Sequence, residues 1–289
     1  MMNICVSSYS FSKIISKGEM NQLSAIAKAK EMGFDGIEFA EITPHDGSTK
    51  EEYARKLKAE ADRLDFPIAS FVFGADLING TDGRTPEHEV EYVKSMVDIG
   101  VNLGVPVIRH DVLYSMGDHA DFDTLLPALS DRVQQITEYA AGKGIRTSVE
   151  NHGFICQDPD RCVALYKAVN HPNFGLLCDI GNFLCADAEP AAAVAMVAPY
   201  AIFAHAKDFY VKDADQPNPG RGFFQSRGGN YLKGTIIGHG NVPVVQCLQT
   251  LKDAGYNGFL SLEFEGMEDV MEGISVGLEN LRRYISELK

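Results

Sequence analysis

Short runs of apolar and β-branched residues recur along the chain, and each is followed by a stretch in which apolar residues return at helical spacing. The runs at 4–8, 36–39, 67–73 and 105–110 read as strands, with helices at about 18–32, 49–65, 86–103 and 122–141. Thr49 and Glu52 occupy the two positions of a capping box, and Pro86 suits the first turn of a helix. Four further strand-like runs follow at 146–150, 175–179, 201–205 and 259–263. Helices near 159–169, 190–197 and 242–254 separate them, and a last helix at about 268–288 closes the chain. These are eight strand–helix units, with strand tips near residues 8, 39, 73, 110, 150, 179, 205 and 263. Successive tips lie 26 to 40 residues apart except for a final gap of 58. An eight-unit barrel of ~250 residues needs about 31 per unit. The pattern predicts an α/β fold, a (β/α)8 TIM barrel forming one domain over 1–289, with a long loop after strand seven.

The last four strands end in Glu150, Asp179, His205 and Glu263. In a parallel barrel the C-terminal ends of neighbouring strands converge on one rim, so these four can face a common point. Three carboxylates packed together repel one another and raise each other's pKa unless a cation compensates. One imidazole with three carboxylates is a hard, oxygen-rich donor set. It suits Mn2+ or Mg2+, with Co2+ or Zn2+ also within its range, and it leaves positions open for substrate oxygens. Taken singly, each residue also fits a plainer reading, a polar strand end satisfied by nearby backbone. The recurrence on four adjacent strands is what points to a metal.

Composition narrows the partners. A formal net charge of −14 and a pI near 5.0 oppose a nucleic-acid or anionic-membrane surface, because phosphate binding needs a basic footprint. The six cysteines form no C-x-x-C pair and read as reduced thiols. The most membrane-like run, 190–204, is short, rich in Ala and split by Pro199, below the ~18 apolar residues of a spanning helix. The first residues lack the pattern of a signal peptide, so a soluble, cytoplasmic protein is expected. The stretch 209–241 is rich in Gly and Pro. As a long loop after a barrel strand it falls on the C-terminal face, to cover the substrate or to meet another subunit. Its Arg221 and Arg227 are candidates for holding a phosphate or carboxylate of the substrate, with solvated loop arginines as the plain alternative.

Several short motifs stand in order along the chain: Gly33-Phe34-Asp35-Gly36-Ile37-Glu38, Ser148-Val149-Glu150-Asn151, Asp179-Ile180-Gly181-Asn182, His205-Ala206-Lys207-Asp208, the Gly238-His239-Gly240 turn and Leu262-Glu263. In this order and spacing the chain resembles the xylose isomerase-like family of sugar-phosphate isomerases and epimerases. That family also includes the endonuclease IV type of barrel and the ketose 3-epimerases, and the resemblance covers essentially the whole chain. It implies a single divalent metal, Mn2+ foremost, held by Glu150, Asp179, His205 and Glu263. It implies a small sugar substrate and, in many relatives, a homo-oligomer. The metal would chelate the carbonyl and adjacent hydroxyl of an α-hydroxy ketone and stabilise an enediolate, while Glu150 and Glu263 remove and return the proton.

One departure concerns the residue three after the strand-six aspartate. Many relatives have histidine there, and this chain has Asn182, which can bind a hydroxyl but cannot act as an acid or base near neutral pH. Further substrate-binding candidates are His152, His110 with its neighbours Arg109 and Asp111, Glu38 and Lys207. For each of these a structural hydrogen bond or ion pair is the plain alternative. The expected function is a metal-dependent isomerase or epimerase of a ketose. A keto-sugar or keto-inositol dehydratase or lyase on the same site is the alternative, and a non-catalytic sugar-binding barrel is a third reading. An abasic-site endonuclease would need three metals with extra histidines, and His45, His88, His119 and His171 fall away from the strand tips.

Overall fold

The computed structural model describes residues 2–289. Along the chain come strands β1 (Asn3–Ser7), β2 (Gly36–Ala40), β3 (Ile68–Phe73), β4 (Val107–His110), β5 (Arg146–Glu150), β6 (Phe174–Asp179) and β7 (Ala201–Ala206). They are followed by β8 (Asp208–Lys212), β9 (Phe224–Gln225), β10 (Tyr231–Thr235) and finally β11 (Phe259–Leu262). Strands β1–β7 and β11 form a closed barrel of eight parallel strands, completed where β1 pairs with both β2 and β11. The helices are α1 (Ser12–Ser16), α2 (Gln22–Glu31), α3 (Lys50–Arg63), α4 (Pro86–Leu103), α5 (Phe122–Ala141), α6 (Pro159–Val169), α7 (Pro190–Val197), α8 (Val244–Asp253) and α9 (Val270–Glu287). The fold is an α/β TIM barrel, as the spacing of apolar runs predicts.

Local chemistry sets most boundaries. Thr49 and Glu52 cap α3 reciprocally, and Thr85 caps α4 with Pro86 in its first turn. Helix α4 stops at Gly104, whose φ of 69° is the left-handed conformation that glycine adopts at little cost. Helix α2 begins later than the sequence suggests. Asn21 and Ser24 make a reciprocal cap, and the preceding chain is a 3-10 turn at Ser8–Phe11 followed by α1.

Two apolar layers hold the barrel. The larger lies between strands and helices, and a smaller one fills the barrel interior with Cys5, Ala69, Val72, Val107, Leu177 and Phe203. Burying a side chain the size of Leu177 or Phe203 contributes roughly 1.5–3 kcal/mol. Side chains alternate along a strand, so residues two apart share a face. Two positions beyond Cys5, Val107, Leu177 and Phe203 stand Ser7, Arg109, Asp179 and His205. The packed interior thus aims a set of polar side chains at the C-terminal mouth.

The stretch expected as a long loop after strand seven folds as a three-stranded antiparallel sheet, ordered β8-β10-β9. The Asp208 carboxylate closes its far turn by accepting the backbone N–H groups of Gly238, Gly240 and Val242 at 2.9–3.0 Å. His239 therefore belongs to a turn. Asp187 pins the near end, accepting from Ser226 Oγ at 2.5 Å, Asn230 Nδ2 at 2.8 Å and the Gly228 amide. Among the described residues no helix is long and apolar enough to cross a membrane.

Candidate metal centre

Glu150 ends β5, Asp179 ends β6, His205 lies in β7 and Glu263 follows β11 directly. All four are buried, and one ligand atom from each lies within 4.8 Å of the others. His205 Nδ1 is the hub, at 3.5 Å from Glu150 Oε1, 3.7 Å from Glu263 Oε2 and 3.8 Å from Asp179 Oδ2. On the other side of the ring, His205 Nε2 lies 2.9 Å from Glu38 Oε1. A carboxylate at that nitrogen favours the tautomer with its proton on Nε2. In that neutral tautomer Nδ1 keeps a lone pair to offer a metal ion among three carboxylate oxygens. Both ring nitrogens of His205 and Asp179 Oδ2 lack a hydrogen-bond partner.

The supporting bonds explain why these oxygens point inward. Asp179 Oδ1 accepts the amides of Gly181 at 2.7 Å and Asn182 at 2.8 Å, which turns Oδ2 toward the centre. A Cβ at Gly181 would lie 2.6 Å from the Lys207 carbonyl, so this turn needs glycine. Asn151 donates to the Asp179 carbonyl and accepts from the Asp179 amide, both at 2.9 Å, extending the β5–β6 ladder by one rung of side chain. Arg109 Nη2 lies 2.5 Å from Glu150 Oε2, and Lys207 Nζ lies 2.6 Å from Glu263 Oε2.

The electrostatics leave a cation deficit. Five buried carboxylates (Glu38, Asp111, Glu150, Asp179 and Glu263) face two permanently charged groups, Arg109 and Lys207. Burial works against charge on His205, but Glu38, Glu150 and Glu263 outweigh it and hold its pKa well above the usual imidazole range. Burial pushes Asp179 up to about 6 against the pull of Lys207. Glu150 is opposed by burial yet held well below the carboxylate range by Arg109 and His205. Glu263 is likewise lowered, burial being overcome by Lys207 and His205. Lys207 is raised well above its ordinary value, since Glu263 and Glu265 outweigh its burial. A field that protonates a buried imidazole also attracts a divalent cation. One nitrogen and three oxygens, two of these atoms unpartnered, fit such an ion.

The other residues singled out by sequence separate into groups. His152, Asn182 and Lys207 line the cavity beside the centre. His152 Nδ1 lies 2.9 Å from Asp111 Oδ1. Asn182 donates to Glu150 Oε1 at 2.9 Å and accepts from Lys207 Nζ at 3.2 Å. Glu38 does not reach the cavity. It is fully buried on the far side of His205 and accepts from Ser261 Oγ at 3.2 Å. His110 also misses the mouth, because alternation along β4 turns Arg109 inward and His110 to the opposite face. There its ring centroid lies 6.4 Å from that of Phe73. Arg227 is paired with Asp158 and donates to the Phe154 carbonyl, while Arg221 is exposed; neither lines the cavity. The sequence reading gave no role to Asn151 or to the aromatic wall of Tyr9, Tyr114, Phe154, Phe209 and Phe224. The inward parity of Val107 was the available signal for Arg109.

Fold and donor set together define a barrel with a carboxylate–histidine group able to hold a metal ion. The family model described as xylose isomerase-like TIM barrel matches residues 26–284, and the chain belongs to that family. An uncharacterized protein of Methanocaldococcus jannaschii, MJ1311, is 24% identical over 249 residues, covering 84% of this chain and 68% of that one. The IOLI protein with a binding zinc atom superposes with a TM-score of 0.75 at 16% identity, covering 100% of this chain and 99% of its own. A D-tagatose 3-epimerase-like protein gives 0.70 at 22% identity, covering 99% and 97%. At these identities the likeness to solved structures establishes the fold.

Proposed function

We propose that the chain is a divalent-metal-dependent isomerase or epimerase acting on a ketose or a related α-hydroxy ketone of a sugar. The observation that carries this reading is His205 Nδ1, without a hydrogen-bond partner and ringed by oxygens of Glu150, Asp179 and Glu263 at 3.5–3.8 Å. The similarity to a D-tagatose 3-epimerase-like protein supports the reaction class. Glu150, Asp179, His205 and Glu263 would hold one ion, Mn2+ by preference with Mg2+, Co2+ or Zn2+ as alternatives. When bound, the ion supplies a Lewis acid beside the substrate carbonyl.

The side chains move the proton. Glu150 turns Oε1 toward His205, leaving Oε2, beside Arg109, to take the proton from the carbon next to the carbonyl. The Arg109 guanidinium keeps this carboxylate ionised between turnovers. Glu263 returns a proton from Oε1, the oxygen that Ser7 Oγ approaches at 3.4 Å. Lys207 Nζ, at 2.6 Å from the other Glu263 oxygen, orients this carboxylate, and the proton that Glu263 returns is replenished from water. Asn182 ties Glu150 to Lys207 through one amide group and so couples the two carboxylates mechanically.

Metal analysis of the purified protein and transfer of substrate α-protons to D2O test the reading together. One divalent ion per chain is expected, and Glu150→Gln should slow exchange by about 10²–10⁴-fold, the usual contribution of a general base. A protein that takes up no ion, or a Glu150→Gln variant that exchanges at the native rate, overturns it. An unsaturated or dehydrated product would assign the same site to β-elimination.

A further inference from the structure

The cavity beside the metal centre has two lobes that share His152, Lys207 and Glu265. The inner lobe, about 190 Å³, reaches Arg109 and Glu263. The outer lobe, about 430 Å³, is walled by Tyr114, Phe154, Phe209 and Phe224. We infer that the outer lobe binds an uncharged aromatic aglycone, which makes the substrate a keto-glycoside and not a free or phosphorylated ketose. This inference rests on the sugar chemistry proposed above.

The aromatic wall is exposed where exposure is costly. Eight large apolar side chains are exposed among the described residues, and three of them, Tyr114 (42%), Phe154 (40%) and Phe224 (38%), line the outer lobe, with Tyr9 (43%) in the inner one. Contiguous exposed apolar surface of this kind marks a binding site. Phe154 is also held in a left-handed conformation, φ 67°, which a bulky side chain rarely adopts. Gln157 Oε1 accepts its amide at 2.6 Å and Arg227 Nη1 donates to its carbonyl at 3.0 Å. Backbone strain maintained by such partners concentrates at ligand clamps. Phe224 comes from the inserted sheet, fixed by the Asp187 bonds described above, and meets Phe209 edge to face at 5.8 Å. The wall is formed before any ligand arrives, which lowers the ordering cost of binding.

Two polar side chains among the rings are already engaged. Gln157 donates to the Asn182 carbonyl at 2.6 Å as well as accepting from Phe154, and Tyr114 gives its hydroxyl to Asp111 Oδ2 at 2.7 Å. The capacity of these two groups is taken up within the protein, and the rings beside them offer faces on which an aromatic ligand can stack. Charge excludes a phosphate. The two permanent cations lining the lobes, Arg109 and Lys207, are paired with Glu150 and Glu263, His152 is paired with Asp111, and Glu41 and Glu265 add negative charge.

Calorimetric titration of the Mn2+-loaded full chain tests this directly. The ligands are the phenyl and methyl glycosides of one keto-hexose, the matching disaccharide, and the corresponding free and phosphorylated ketoses. The phenyl glycoside should bind at least about tenfold tighter than the methyl glycoside, near the value of one good aromatic pair. Phe224→Ala and Phe154→Gly should each reduce that ratio to below about threefold; the glycine keeps the left-handed backbone, and thermal unfolding confirms a folded protein. Equal affinities for phenyl and methyl, tighter binding of the disaccharide or the phosphate, or no binding by any of them overturns the inference. Exchange in D2O on the same samples separates the two proposals. A phenyl preference without exchange removes the reaction and keeps the lobe assignment, and exchange without a phenyl preference does the reverse.

Discussion

At the rim of the barrel, Glu150, Asp179 and His205 stand on three neighbouring strands whose register is fixed by a continuous ladder of pairs, and Glu263 follows directly on the fourth. Across the cavity, Phe224 stands on β9, a strand of two residues whose place depends on pairing with β10 and on a few side-chain bonds. The rim residues are backed by the apolar interior, and three of them belong to the group of five buried carboxylates. The insert is largely exposed and held by Asp187 and Arg227. Displacing one rim ligand disturbs charge balance at every other, whereas moving the insert alters the wall alone. The candidate metal centre is therefore built into the barrel itself, whereas Phe209 and Phe224 of the aromatic wall stand on a separable attachment.

The largest effect outside the ligands themselves is expected at Glu38, because the rim depends on what stands behind it. Glu38→Gln keeps the volume but removes the charge at His205 Nε2. Loss of such an orienting carboxylate typically weakens metal binding by about 10–100-fold, and competition against a metal-binding dye would measure it. Unchanged affinity would mean that barrel packing alone orients the imidazole, and the rim would then be as separable from its support as the insert is.

The barrel was legible because its signals are local and repeated: apolar runs at regular spacing, Thr49 with Glu52, Pro86, and a polar residue at each late strand tip. Assigning those tips to one centre needed only that the strands be parallel and consecutive. What escaped is set by single-residue steps or by distant contacts. His110 and Arg109 differ by one step of alternation, and the strand tip alone does not say which faces in. Glu38 resembles a substrate contact until the position of His205 places it behind a ligand. Strands β8–β10 were hidden by glycine and proline, and nothing local announces that Phe154 takes φ 67°.

The outward-facing His110 supplies a pH test of that one-step difference. Its ring is fully buried with Nε2 unpartnered, and burial pushes its pKa from 6.5 down to about 4. A depressed pKa means the unfolded chain binds the proton first, so stability is intact above about 6.5 and falls as the pH drops toward 4. The loss attributable to His110 between pH 7 and pH 5 is about 2 kcal/mol. Urea unfolding of the native chain and of His110→Phe at both pH values reads it as a difference in slope. Equal slopes would place His110 in contact with water, on the same side as the cavity.

The smallest expected effect decides whether the insert is separable. Asp187 is exposed and has φ 59°, a conformation asparagine tolerates better than alanine. Asp187→Asn therefore keeps the turn but replaces one acceptor oxygen by an NH2 group, so either the bond to Gly228 or the bonds to Ser226 and Asn230 are lost. A cost of about 1 kcal/mol in global stability is expected, the usual net value of a hydrogen bond. The clearer readout is local. Amide hydrogens of β9 should exchange faster, because its pairing with β10 then holds the strand with less help. Metal affinity should stay within about twofold of native, since no atom of Asp187 is among the ligands. Were the metal to dissociate more readily as well, the latch and the rim would be one cooperative unit. Selectivity could then not change without cost to the chemistry.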